Sequence, residues 1–468
     1  MTAGATDQAI REAQARLQRN PDDPTAHHQL GDALAFAGNL PAAATALRRA
    51  VELRPDYAPA WARLGNVLRQ QGNADGAIDA FSHSASLVKD PAVLCNLGEA
   101  LSFAGRLDES IKTLEAAIAL EPGHPVFHLN LGTTLRLAGD IDRAIASFNQ
   151  AIRLKPGFHQ AHYNLAIALL LIGDYPRGWD EFEWRLQPPE RDRTTRIFHR
   201  FPAWRGESLD GRTIFVHLEQ GFGDAFQFAR FIPLVAARGG RVLLECRPEI
   251  RGLLERLEGV DSIVEPSAQL PAFDVQIPLL SLPRVLGITL DNLPRAVPYL
   301  SAPPDRACEW MNKLPACNQG LRIGIAWSGS PTNTRNHLRS CPPEFLRPLA
   351  EVPGVILINL QKGAAPPEGV VDPPAPLADW TDTAALMTHL DLVITVDTGI
   401  AHLAGALGRP VWTMLSTAAD WRYLRERTDS PWYPTMRLFR QRAPGDWPGV
   451  VREVETALRS FTRAHQRD

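Results

Sequence analysis

Five cysteines in 468 residues are too few and too scattered to form a framework. Cys95, Cys246, Cys308, Cys317 and Cys341 are odd in number, none sits in a CxxC pair, and no histidine pair stands near them. A disulfide scaffold and a zinc site are thereby excluded, and the usage fits a reducing cytosol. Long hydrophobic runs are missing too. The greasiest stretch, Ile167 to Ile172, falls far short of the roughly 20 apolar residues a spanning helix needs. The opening MTAGATDQAIREAQARL lacks the apolar core of a signal peptide, so a cytoplasmic protein without membrane insertion is expected. Charge of one sign is also not in excess: a formal net charge of -3 gives no general attraction to nucleic acid or anionic lipid. With 45% apolar and 22% charged residues, the chain can bury large cores and should divide into two or three domains.

What is present first is repetition. Leu30-Gly31, Leu64-Gly65, Leu97-Gly98, Leu131-Gly132 and Leu165-Ala166 recur at steps of 34, 33, 34 and 34 residues. Pro21, Pro55, Pro122 and Pro156 keep the same phase near the repeat ends. This is the tetratricopeptide period, two antiparallel helices per repeat. Ala43, Ala77, Ala117, Ala144 and Ala151, with Phe81 and Phe148, mark where the helices approach closely. No single repeat can bury its apolar face alone, so neighbours must stack into an α-solenoid. Residues 6 to 19 read as half a repeat and Tyr175 to Leu186, with Trp179, Phe182 and Trp184, as a modified last helix. The repeat domain is therefore expected to span 1–186.

Asn96, Asn130 and Asn164 each stand one residue before a Leu-Gly or Leu-Ala pair, where Gln29 and Arg63 stand earlier. Stacking puts these side chains in a row on the concave face. Each amide offers a donor and an acceptor, so the row can hold the backbone of an extended peptide acceptor whatever its sequence. The alternative is that each Asn bonds within its own repeat. The arrangement resembles the asparagine ladder of O-linked N-acetylglucosamine transferases, which also place such repeats before a glycosyltransferase domain.

From Gln187 to Gly211 the helical period disappears among Pro188, Pro189, Arg191, Arg193, Arg196, Arg200, Pro202 and Arg205, as expected for a connector. Beyond it, strand and helix alternate from Thr213 to Ile277 and again from Leu321 to Leu415, with Pro-rich ground between Pro294 and Pro304. Alternation of this kind implies parallel sheets covered on both faces. The fold class is thus a solenoid followed by two Rossmann-like α/β domains, 212–303 and 304–468, with ligands at the carboxyl ends of the strands.

Three strand-end segments carry candidate chemistry. In Glu219-Gln220-Gly221-Phe222-Gly223-Asp224, glycines allow close backbone approach, and Asp224 either caps the following helix or accepts a proton from a substrate hydroxyl. The full dinucleotide fingerprint is missing. In Asp397-Thr398-Gly399-Ile400-Ala401-His402, the free amides at a helix start make a seat for phosphate oxygens; His402 lies one turn in and is either a ligand or a packed residue. Trp327-Ser328-Gly329-Ser330, followed by Arg335, His337 and Arg339, and Gln361-Lys362-Gly363 place fixed cations where they can neutralise a departing diphosphate. Trp412, Trp421, Trp432 and Trp447 are expected to pack the C-terminal helix rather than stack on a base.

The runs QGFGDAFQFARFIPLVAARGGRV, WSGSPTNTRNHLRS and VDTGIAHLAGALGRPVW, with DWRYL, SPWYP and PGDWPGVV, resemble glycosyltransferase family 9, the heptosyltransferase family, from about Arg212 to the C-terminus. Coupled to tetratricopeptide repeats, the layout is similar to bacterial flagellin glycosyltransferases. The resemblance implies a GT-B fold with its acceptor side on the first domain and its donor side on the second. It further implies inversion at the anomeric carbon without metal or cofactor. Asp224 maps onto the base. Gln220, Gly221, Gly223, Trp327, Ser328, Arg335, Arg339, Gln361, Lys362, Asp397, Thr398, Gly399 and His402 are the expected contacts of a nucleotide-sugar donor, with Asn96, Asn130 and Asn164 holding a protein or peptide acceptor. A lysine that follows the first C-terminal strand in heptosyltransferases has no counterpart, so Arg335 or Arg339 would take its place. Two alternatives stand beside this: a repeat scaffold whose GT-B half is degenerate, and a transferase acting on lipid or polysaccharide. A homo-oligomer through the repeats is left open.

Overall fold

The computed structural model describes residues 3–187, 201–266, 269–314, 320–331 and 336–465. The chain forms two compact units, one ending at Leu165 and one beginning at Ala166.

The first unit is a tetratricopeptide solenoid. Its helices are α1 (Ala3–Arg19), α2 (Pro24–Phe36), α3 (Leu40–Leu53), α4 (Ala58–Gln70), α5 (Ala74–Leu87), α6 (Pro91–Phe103), α7 (Leu107–Leu120), α8 (Pro125–Leu137) and α9 (Ile141–Leu154), leading into α10 (His159–Leu171). Side chains in the turns start them: the Asp23 and Asp90 carboxylates accept from the amides of Thr25 and Ala26 and of Ala92 and Val93, and Asn39, Asn73 and Asp140 cap the second helices. The Leu-Gly signature has a packing cause. A Cβ on Gly31, Gly65, Gly98 or Gly132 would lie 2.5, 2.7, 2.5 or 2.6 Å from the side chain of Leu47, Phe81, Leu114 or Phe148. Only glycine lets each first helix close onto the bulky residue of the second, and those four residues are wholly buried.

In the second unit the end of α10 is followed by α11 (Tyr175–Phe182) and a short 3₁₀ turn to Leu186. Tyr175, Trp179 and Phe182 are buried in one core with Phe228, Trp421 and Trp432, and the Trp179 indole donates to the Ile288 carbonyl at 2.9 Å. The unit therefore begins ahead of the expected boundary at 186: the aromatic face of α11 is spent on the α/β half.

That half holds two all-parallel sheets. The first comprises β1 (Thr213–His217), β2 (Arg241–Glu245), β3 (Ser262–Val264) and β4 (Val275–Pro278), in the order β3-β2-β1-β4. Ile214 pairs with Val242 on one side and Val275 on the other. The second comprises β5 (Leu321–Ala326), β6 (Val355–Asn359), β7 (Val370–Val371), β8 (Leu392–Val396), β9 (Val411–Leu415) and β10 (Met436–Arg440), in the order β10-β9-β8-β5-β6-β7. Strand order reverses between β1 and β4 and between β5 and β8, so each lobe has a crevice at the carboxyl ends of those pairs.

Sequence reading placed most of these elements but missed β7, β10 and the helix Pro304–Lys313. The first helix of lobe one runs Phe222–Phe228, and helix restarts at Ile232–Ala236. The restart places Pro233 in a first turn, where a missing N–H costs nothing. Among the described residues, no helix is long and apolar enough to cross a membrane.

Candidate functional site

The two glycine turns meet. After β1 the chain turns through Leu218, whose amide donates to Glu245 Oε2 at 2.9 Å, into the helix Phe222–Phe228. Asp224 closes this turn by accepting the Gly221 amide on Oδ2 at 3.1 Å. After β8, Thr398 caps the helix Gly399–Ala406 by accepting the Ile400 amide at 3.3 Å. A Cβ on Gly223 would stand 3.0 Å from His402 Cδ2 and 3.5 Å from Gly399 Cα; one on Gly399 would stand 2.9 Å from Trp380 and 3.6 Å from the Gly223 nitrogen. A side chain at Gly399 would press on Trp380 and one at Gly223 on His402, so both turns are closely packed where the two helix starts come near each other.

Beside this contact lies a buried polar cluster organised by Arg422, in the short turn Trp421–Tyr423 after β9. Its guanidinium ion-pairs with Asp224 and with Asp420, the latter at 2.7 Å, and its Nε donates to Gln227. The Tyr423 hydroxyl donates to Asp397 Oδ1 at 2.8 Å, and His402 Nδ1 lies 3.1 Å from the Tyr433 hydroxyl. Arg230 donates to the carbonyls of Pro294 and Trp432 and to Tyr299.

Burial raises the Asp224 carboxyl above the ordinary range, while the Arg422 charge pulls against it. Burial, reinforced by the Asp420 charge, lifts Asp397 to about 6. Burial pulls the Arg422 guanidinium down, but Asp420 and Asp224 hold it above its usual value. His402 is held well below its usual range by burial and by Arg422, Arg230 and Arg339, and is neutral.

The Asp397 shift has a sign that can be measured. A carboxyl whose folded-state value lies above its unfolded one contributes stability below about pH 4 and loses it as pH rises through about 6. Ionised Asp397 therefore works against folding at neutral pH. Asp397→Asn, which still accepts from Tyr423, is expected to raise the urea midpoint at neutral pH and to leave it nearly unchanged near pH 4. An equal effect at both pH values would contradict this.

The end of β5 forms a second wall. The Gln361 side chain accepts from the amides of Trp327 (3.3 Å) and Ser328 (2.9 Å), holding the two strand ends together. Asn336 accepts the Gly329 amide and donates to Ser328 Oγ. Arg339 lies over Gly329, whose Cβ would stand 2.6 Å from its Nη2; its Nε is buried with no hydrogen-bond partner among the described residues. Its charge acts on both Asp397 and His402. The Trp327 side chain belongs to the lobe core. Lys362 is exposed and donates to the Ala378 carbonyl at 3.4 Å, which leaves it apart from the cluster. Gln220 is half-buried in the first turn. Arg335 lies outside the described residues.

Near β1 and β4, Glu183, Arg185, Glu219 and Ser281 form one network, with Arg185 donating to the other three at 2.8, 2.9 and 2.8 Å. A cavity of about 710 Å³ opens at the switch point of the first lobe, lined among others by His217, Gln276, Ser281 and Glu183. In the solenoid, Asn96, Asn130 and Asn164 are half-buried. Asn130 donates to Cys95 Sγ at 3.2 Å, so at that position the amide bonds within the array. Among the described residues no group of three or more His, Cys, Asp and Glu could hold a metal ion. All four C-terminal tryptophans are buried, but only Trp412 and Trp447 pack with the C-terminal helix; Trp421 and Trp432 pack instead against Tyr175, Trp179 and Phe228.

Sequence reading did not single out Arg422, Asp420, Tyr423, Gln227, Arg230 or Tyr433. One signal was available: Asp420-Trp421-Arg422-Tyr423 follows a fully buried strand, a place where a charged pair has no solvent to go to.

The chain matches the tetratricopeptide repeat over residues 1–58, 28–86, 95–157 and 129–182. It matches glycosyltransferase family 9 (heptosyltransferase) over residues 375–422, which include the Asp397 loop and Arg422. It is similar to Protein FlbA of Caulobacter vibrioides, 28% identical over 484 residues, covering 96% of this chain and 75% of that one. Among solved structures it resembles MamA protein (23% identity, 35% of this chain and 90% of that one, TM-score 0.33). It also resembles YrrB, a TPR protein with an unusual peptide-binding site (18% identity, 41% and 99%, TM-score 0.35). The sequence matches support a glycosyltransferase carrying tetratricopeptide repeats.

Proposed function

We propose that the α/β half is a GT-B glycosyltransferase, inverting and metal-independent, working in the cytoplasm on an acceptor protein such as flagellin that the repeats recruit. The observation that carries this reading is Arg339. A buried guanidinium nitrogen with no partner among the described residues, whose charge reaches both Asp397 and His402, is costly unless an anion completes it. A nucleotide-sugar diphosphate supplies that anion. It would sit at the carboxyl ends of β5 and β8, with Thr398, Gly399 and Arg339 around its phosphates, and the sugar toward Asp224.

In the reaction, the acceptor hydroxyl oxygen attacks C1 of the sugar as Asp224 takes its proton. The C1–O bond to the diphosphate breaks, and its electron pair leaves with the phosphate oxygen. The charge that develops there meets the Arg339 guanidinium and main-chain amides that are already oriented, so no metal is needed in this scheme. The acceptor would enter from the cavity beside β1 and β4.

Calorimetry with UDP-, GDP-, ADP- and CMP-sugars tests the reading: one of them should bind, and Arg339→Ala should weaken it about 10- to 100-fold, the worth of a charge-assisted hydrogen bond. If no member of the panel binds the wild-type chain, the transferase reading fails.

A further inference from the structure

Arg422 belongs to the second lobe, yet two of its three hydrogen-bonded partners, Asp224 and Gln227, belong to the first. Its Nη1 is held by Asp420 at 2.7 Å, and its guanidinium carbon stands 4.5 Å over the Trp421 ring. A planar fork fixed on three sides orients what it holds more tightly than a point charge can. Asp224 has one oxygen on the Gly221 amide and the other on Arg422, so the direction of its free lone pairs is set by a residue 198 positions away.

We propose that Arg422 is the positioning residue of the transfer: it aims the Asp224 carboxylate, and because its anchor Asp420 lies on the other lobe, the base is aligned only when the two lobes are seated. This rests on the glycosyltransferase reading for its consequence but not for its physics. It explains why a cation is buried at an inter-lobe contact where a neutral residue would pack more cheaply. It also supplies the coupling a two-lobed transferase needs, since an open molecule would carry a misdirected base.

The charges that act on Asp224 are Arg422 and Asp420, both from the 420–423 turn; around the same cluster Arg339 acts on Asp397 and His402, Arg230 stands 4.6 Å from the Tyr433 ring, and Arg247 stands 5.4 Å over the Phe222 ring. His402 is neutral, and Tyr423 and Tyr433 are driven up by burial and stay protonated. The sign of each substitution follows: removing Arg422 raises the Asp224 midpoint, and neutralising Asp420 lowers it.

The test is a carbon-13 carboxyl titration of Asp224 by NMR, assigned with Asp224→Asn, in Arg422→Gln, Arg422→Lys and Asp420→Asn, read alongside kcat and donor KM. Arg422→Gln should move the midpoint up by about one unit or more, the range for a lost opposite charge. Asp420→Asn should move it down. Arg422→Lys should hold the midpoint near wild type yet lose kcat about 100-fold with donor KM nearly unchanged, because it keeps the charge and loses the aim. If Arg422→Gln does not fold, the other two variants carry the test. A midpoint unmoved in the Gln variant, an upward move in Asp420→Asn, or full kcat in Arg422→Lys would overturn the proposal. Titrations that behave as expected in a chain that transfers no sugar would instead sink the transferase reading and leave the coupling standing.

Discussion

Asp224→Asn should slow sugar transfer by about 10² to 10⁴, the range a positioned general base contributes, while donor affinity stays within a few-fold of wild type. The amide is nearly the same size and still accepts from Gly221, so the turn keeps its shape. What disappears is the acceptor of the proton, and with it the anion that Arg422 faces. Asp420 remains to pair that cation, so the variant should still fold. Single-turnover kinetics with a radiolabelled sugar, set beside calorimetric donor binding, separates the two effects. Turnover within about threefold of wild type would remove Asp224 as the base, whatever happened to stability.

Phe148→Ala should cost the solenoid about 3–5 kcal/mol, the usual range for emptying a buried aromatic site. Phe148 is wholly buried against Gly132, which has no side chain to swing into the space. Because repeats interact mainly with their neighbours, the loss should be local. Amides of α8 and α9 should lose hydrogen-exchange protection first, with α2 and α3 little changed. Phe148→Leu should cost less than about 1.5 kcal/mol: the chain already uses Leu47 and Leu114 at that slot, opposite Gly31 and Gly98. If the Ala variant exchanged evenly along the whole array, nearest-neighbour stacking would be the wrong description.

The solenoid was legible because each repeat solves one packing problem in the same way; a glycine sixteen positions before a bulky residue recurs as Gly31 with Leu47 and Gly65 with Phe81. The two glycine turns were legible for a related reason: a Cβ on Gly223 would crowd His402 and one on Gly399 would crowd Trp380. Arg422 was not, since its value lies in a partner nearly two hundred residues earlier, and separation of that kind leaves no local pattern. Lys362 shows the converse. Its place after β6 was read correctly, but nothing in the neighbouring residues says which way a long flexible side chain turns. β10 escaped notice because Arg437 and Arg440 interrupt an edge strand that is only partly covered.

The tryptophan and tyrosine of α11 bear on how the halves can be separated. Cutting where the sequence texture changes, after Leu186, would strip Tyr175, Trp179 and Phe182 from Trp421 and Trp432 and lay an aromatic surface open to water. A fragment made that way would aggregate, and its silence in an assay would say nothing about whether the repeats matter. The α/β half has to be taken with α11 attached, from about Ala166 onward, so that whatever it binds or fails to bind is its own property.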